Sequence, residues 1–214
     1  MNYTTCTPKP GRSWGDTISH ITALEASAMV ADGFAGVFLY AETVTQADVD
    51  NALGAGLMVA FVMYSPSPGY QPSAQLGAQM ALNACVALKK LNMPTGISLF
   101  IDLESMGGTP ADKIAHANAA ADTIVAQGLL AGGYIGAGVG LTSVQLFDLH
   151  VTLYWKSGSI VESAPGVLAE PECGWAVVQG MPFDYQVPNG GPEVDLDVVW
   201  QDYRGRSIVA VRAA

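Results

Sequence analysis

Short apolar runs recur along the chain, and most are followed by a stretch of helical composition. Gly36–Tyr40, Leu57–Tyr64, Ile97–Glu104, Leu129–Ile135, Val151–Trp155, Gly174–Gln179 and Val194–Trp200 are mostly continuous rather than alternating. That pattern predicts strands covered on both faces. Tyr3–Cys6 is a briefer β-prone run, ended by the breaker Thr7-Pro8-Lys9-Pro10-Gly11. Between the runs, helices are predicted from Thr22 to Ala31, from the N-cap Thr45 to Gly54, from the cap Ser73 to about Leu91, and from Pro110 to Ala126, with a short one from Ser143 to Leu149. Asp32-Gly33, Gly56 and Gly128 supply the stops.

Strands alternating with helices define the α/β class with a parallel sheet. Counting Tyr3–Cys6 there are eight strand candidates, which fit a compact, closed (β/α)8 TIM-like barrel better than an open sheet. The last two crossovers are short and rich in Pro and Gly, so the later helices are expected to be shortened or missing. The alternative is an open doubly wound sheet, but no Gly-x-Gly-x-x-Gly follows the first strand. Residues 1–214 are expected to form one barrel domain.

Charge narrows the function. The net charge is −10, which disfavours non-specific nucleic-acid binding and attraction to anionic membranes. No apolar stretch reaches the roughly 18 residues of a membrane span. The N-terminus lacks a basic start followed by an apolar segment, so no signal peptide is read and the chain is expected to be cytoplasmic as synthesised. Cys6, Cys85 and Cys173 form no Cys-x-x-Cys pattern, so neither a disulfide framework nor a zinc site is expected. His20, His116 and His150 lack ligand spacing and are read as structural.

In a barrel, functional groups belong at the C-terminal strand ends. Those ends carry Tyr40 and Glu42, Tyr64, Asp102 and Glu104, Tyr134, Tyr154 and Trp155, and Gln179; the last strand holds Asp195 and Asp197 within it. Asp102 and Glu104, like Asp195 and Asp197, are two positions apart, so each pair leaves its strand on one side. Acids and aromatics around one mouth suit carbohydrate chemistry. One carboxyl protonates the leaving oxygen, a second stabilises or attacks the oxocarbenium centre, and aromatic rings offer faces to sugars. Glu104, Asp102 and Asp195 are the catalytic candidates. Glu42, Tyr64, Tyr134, Tyr154, Trp155, Gln179 and Asp197 are the substrate-binding candidates. Trp14, Trp175 and Trp200 read as core. A hard cation could use the same acids, but nothing resembles a phosphate-binding loop, and no metal or cofactor is expected.

These residues carry a family resemblance. Phe100-Ile101-Asp102-Leu103-Glu104 resembles the Asp-x-Glu of the family-25 glycoside hydrolases, the lysozyme-type muramidases. Gly133-Tyr134-Ile135-Gly136, Tyr154-Trp155-Lys156-Ser157, Gly174-Trp175 through Gln179, and Val194-Asp195-Leu196-Asp197 follow in matching order. The opening Tyr3-Thr4-Thr5-Cys6-Thr7-Pro8 resembles the start of related bacterial glycoside-hydrolase-like domains of undefined activity. The resemblance implies a peptidoglycan or related amino-sugar polymer as substrate and partner, with Glu104 as general acid. Asp102 would stabilise charge or orient the acetamido group, and Asp195 would be the acid of the last strand. It sets the family's first-strand Asp at Thr4, which supplies no charge. Two readings stay open: a bacterial or phage glycosidase, released or virion-borne to reach the wall, or a non-catalytic glycan-binding or structural barrel.

Overall fold

The computed structural model describes residues 2–158, 170–180 and 182–214. The polar loop predicted after Trp155 lies largely outside them. The chain begins with β1 (Tyr3–Cys6), β2 (Arg12–Thr17), α1 (Ala23–Ala31), β3 (Gly36–Tyr40), α2 (Gln46–Ala55) and β4 (Met58–Met63). It continues with α3 (Ala74–Lys90), β5 (Ser98–Asp102), α4 (Pro110–Ala126), β6 (Leu130–Ile135), α5 (Ser143–Phe147) and β7 (Leu153–Lys156). It ends with β8 (Val177–Gln179), β9 (Tyr185–Gln186), β10 (Glu193–Val199) and β11 (Ala210–Ala213).

The helices start where side-chain caps satisfy the first free backbone N–H groups. Thr22 with Glu25, Thr45 with Asp48, Thr109 with Asp112, and Thr142 with Gln145 form reciprocal capping boxes, and Ser73 caps α3.

Eight strands close a barrel in the order β2-β3-β4-β5-β6-β7-β8-β10, with β10 returning to β2. Seven run parallel, while β10 is antiparallel to both β8 and β2. The reversal goes with a β8–β10 link that carries no helix among the described residues. A parallel return needs a crossover, usually helical, whereas this link forms the two-residue β9, which itself pairs antiparallel with β10.

The membership of the barrel corrects one expectation. Tyr3–Cys6 is not its first strand. β1 pairs antiparallel with β11, setting Thr4 opposite Arg212, and β11 reaches the barrel through Val211 beside Val59 of β4. The first barrel strand is β2, Arg-Ser-Trp-Gly-Asp-Thr.

Alternation along the strands builds two apolar layers. Outside, Val37, Leu39, Val59, Phe61, Leu99 and Ile101 face the helices. Inside, Trp14, Phe38, Phe100 and Trp155 fill the barrel, Phe38 lying 4.2 Å from Trp155 and 5.0 Å from Trp14 between ring centroids. A Cβ at Gly132 would lie 2.5 Å from the Phe100 ring, so the ring's place in the barrel requires glycine there. This aromatic plug is the floor of whatever binds above it.

Trp200, expected in the core, is instead 47% exposed and covers Gly11. The histidines serve structure: His20 pairs with Asp48, His150 with Asp122, and buried His116 sits against Ser73 O. The three cysteines are free. Among the described residues no helix is long and apolar enough to cross a membrane.

Candidate active site

The C-terminal ends of the parallel strands meet at one mouth. β2 brings Asp16, β3 brings Tyr40, β5 brings Asp102 with Glu104 just beyond, β6 brings Tyr134 and β8 brings Gln179. Because β10 runs the other way, its early residues reach the same end. Asp195 lies opposite Asp16, and Asp197 lies between Gln179 and Trp14. The reversal explains why the last strand carries its acids inside the apolar run.

Gln179 ties the mouth together. Its Nε2 donates to Asp16 Oδ2 at 2.8 Å and to Asp195 Oδ2 at 3.1 Å, so one amide bridges two carboxylates. Its Oε1 accepts from the Gly158 N–H at 2.8 Å and from the Tyr134 hydroxyl at 3.2 Å. The Ser157 hydroxyl lies 3.3 Å from Glu104 Oε1 and 2.8 Å from the Tyr134 hydroxyl. A continuous polar chain therefore runs from Glu104 to Asp16 and Asp195. Asp102 Oδ1 accepts the Glu104 N–H at 2.9 Å, which fixes the two acids relative to each other. Gly136 makes room for Glu104, since a Cβ there would lie 2.5 Å from Glu104 Oε1.

The electrostatics are those of crowded, buried acids. Burial pushes the Asp102 carboxyl up to about 7; bonds from the Glu104 N–H and from Ser65 oppose this, and the Glu104 charge adds to it. Burial likewise raises Asp16, as do the charges of Asp195 and Asp102. Asp195 is raised by burial, with the Asp184 N–H opposing and the Asp184 and Glu104 charges adding. The Tyr40 hydroxyl is held far above its ordinary value by burial and by the charges of Asp16, Asp102, Glu104 and Asp195 together. A cleft of about 310 Å³ opens beside it, lined by Asp16, Thr17, Tyr40, Asp184, Glu193 and Asp195. Among the described residues no grouping of His, Cys, Asp and Glu could hold a metal ion.

The predicted site residues divide into three sets. Asp102, Glu104, Asp195, Tyr134 and Gln179 come together at the mouth, while Asp197, expected to bind substrate, is 1% exposed and bonded to the floor. Tyr64 stands at its rim, 48% exposed, edge-on to Tyr40 at 5.5 Å, and its N–H donates to Glu42 at 2.9 Å. Trp155 and Tyr154 are corrections. Trp155 is buried in the barrel floor and donates from Nε1 to Asp197 at 2.8 Å, so it supports the site from below. Tyr154, its neighbour, must point the other way; it is buried in the helix-facing layer, its hydroxyl donating to Leu146 O.

Thr4 is also corrected. It lies in the terminal ribbon, and the acid of the first barrel strand is Asp16. Sequence reasoning missed Asp16 because β2 is polar and glycine-containing. A signal was present: the interval from Cys6 to the helix cap at Thr22 is far longer than an ordinary strand-to-helix loop.

No family model and no curated protein matches the sequence. The fold itself, a closed α/β barrel, is shared with solved structures that include a phage endolysin catalytic domain and a glycosyl hydrolase 25. The catalytic domain of endolysin Ply40, from bacteriophage P40 of Listeria monocytogenes, is similar with a TM-score of 0.62 and 15% identity over 88% of this chain and 93% of that one. GHIP, a glycosyl hydrolase 25 of Streptococcus pneumoniae, gives a TM-score of 0.59 and 13% identity over 88% and 86%. An uncharacterized protein of B. stearothermophilus gives 0.67 and 17% over 88% and 96%.

Proposed function

We propose that the protein is a glycoside hydrolase cleaving peptidoglycan or a related amino-sugar polymer, with Glu104 as general acid. The hydrogen-bonded chain from Glu104 through Ser157, Tyr134 and Gln179 to Asp16 and Asp195, with Asp102 bonded to the Glu104 N–H, carries this reading. Support comes from solved structures of the same fold: the autolysin LytC and the Cpl-1 endolysin have been captured with a peptidoglycan ligand and a peptidoglycan analogue.

The chemistry follows from the positions. Protonated Glu104 gives its proton to the glycosidic oxygen as the C1–O bond breaks, and the leaving sugar departs as an alcohol. Positive charge grows at C1 and the ring oxygen, where the carboxylates of Asp16 and Asp195 stabilise it. Asp102, held by Ser65 and the Glu104 N–H, stabilises charge or orients the acetamido group. A water then supplies hydroxide to C1, and its proton returns to Glu104. Muropeptide release from purified walls tests the reading; saccharide binding without release on several wall types would favour the non-catalytic barrel. That alternative drew on Thr4 as the first-strand position; Asp16 on β2 supports the catalytic reading instead.

Two smaller effects are expected. Tyr64→Ala removes an exposed apolar face at the rim and should weaken oligosaccharide binding about 5-fold, equivalent to about 1 kcal/mol, with kcat less affected. Saccharide titration monitored by fluorescence or calorimetry measures it. Gly136→Ala places a methyl against the flexible carboxyl end of Glu104 and should shift that acid rather than unfold the chain. Turnover should fall up to about 10²-fold while the thermal midpoint stays within a few degrees. A large loss of stability instead would mean that Gly136 matters to the backbone and not to Glu104.

A further inference from the structure

Asp197 is placed where a carboxylate anion is poorly satisfied. It is 1% exposed, and its Oδ1 accepts the Trp155 Nε1–H at 2.8 Å. Its Oδ2 is buried without a hydrogen-bond donor among the described residues. Its diagonal neighbour across the β10–β2 ladder, where Asp197 faces Trp14 and Asp195 faces Asp16, is Asp16, another buried carboxyl. Two carboxylate oxygens both accept, so they can bond only if a proton lies between them. Trp155 already donates to Asp197 Oδ1, and Gln179 Nε2 already donates to Asp16 Oδ2. Of the two oxygens left, Asp197 Oδ2 is the one buried without a partner, and so the position for the proton.

We propose that Asp197 is a positioning residue that remains a neutral carboxylic acid at neutral pH, its Oδ2–H donating to Asp16 and holding Asp16 as an oriented anion facing the cleft. The groups around the pair favour this distribution. They are Tyr40 from β3, Asp102 and Glu104 from the β5 end, Tyr134 from β6, Gln179 from β8 and Asp195 from β10 itself. None is a cation, and no salt bridge among the described residues reaches them. A second negative charge beside Asp16 would therefore be buried and unpaired, which is strongly unfavourable. With one shared proton the pair keeps a single charge, carried by Asp16, which receives two donors. The consequence for turnover rests on the glycosidase reading; the shared proton does not.

Difference infrared spectroscopy in H₂O and D₂O tests the proton without any substrate. At about pH 8, where most carboxyls of ordinary pKa are ionised, the wild type should show a protonated-carboxyl C=O band that Asp197→Asn lacks. Absence of the band from the wild type, or its survival in Asp197→Asn, overturns the proposal even if the protein cleaves no glycan. The kinetic arm compares two variants confirmed as folded by circular dichroism. Asp197→Asn can still accept from Trp155 and donate to Asp16, whereas Asp197→Leu can do neither. The Leu variant should lose about 10²-fold more kcat/KM than the Asn variant, and the acid limb of its pH–rate profile should move upward. Equal losses with unmoved profiles would reduce Asp197 to packing and overturn its role.

Discussion

Glu104→Gln is expected to lower glycan cleavage about 10²–10⁴-fold, the range for removing a positioned general acid, with the thermal midpoint nearly unchanged. The two side chains have the same shape. The planar amide can lie against Gly136 as the carboxyl does, and its Oε1 can keep the contact with the Ser157 hydroxyl at 3.3 Å. Glu104 is only half-buried, so exchanging its charge for an amide changes little in folding. What the amide cannot do is deliver a proton to the leaving oxygen. Rates of muropeptide release for both proteins, with saccharide affinity measured in parallel, separate lost chemistry from lost binding. Equal rates in wild type and Glu104→Gln would sink the assignment of Glu104.

Much of this site was legible because its determinants are local. The caps Thr45 and Ser73 and the start at Pro110 marked helices, and continuous apolar runs marked the strands they alternate with. Asp102 and Glu104 stood out because two acids at the end of such a run have few structural uses. The parts that were not legible depend on pairing between distant segments. β2 holds Arg, Ser, Gly, Asp and Thr around one Trp, so no hydrophobic run announces it. It is a strand because β3 and β10 hydrogen-bond its two edges. The count of eight was right with the wrong first member, and that exchange displaced the first-strand acid from Asp16 to Thr4. Tyr154 and Trp155 show a second limit. Adjacent strand residues face opposite ways, and only the register decides which aromatic enters the barrel. Gln179 was marked by its strand-end position alone; its bridge between Asp16 and Asp195 requires β10 to run antiparallel, which the apolar pattern does not encode.

At neutral pH these buried acids should lower the protein's stability, and the effect should reverse in mild acid. Burial is the main cause of the rise of Asp102 to about 7, whereas an unfolded Asp titrates at about 3.9. Across that window the folded chain keeps a proton that the unfolded chain has released. The native state therefore binds more protons, and unfolding free energy falls as pH rises. The stabilisation is complete below the unfolded value and is lost as pH passes through the folded one. At about 1.4 kcal/mol per pKa unit, a shift of about three units is on the order of 4 kcal/mol. Asp16 and Asp197, both raised chiefly by burial, act with the same sign. Urea unfolding at several values between about pH 4 and pH 8 should show the wild type losing stability along the series. Asp102→Asn, with nothing to ionise at that position, should follow a shallower slope and equal or exceed the wild type at the upper end. A wild-type profile that is flat or rises over this range would mean that Asp102 is ionised in the folded mouth at mildly acidic pH. In that case the carboxylate, rather than the acid, would be the form that meets the substrate.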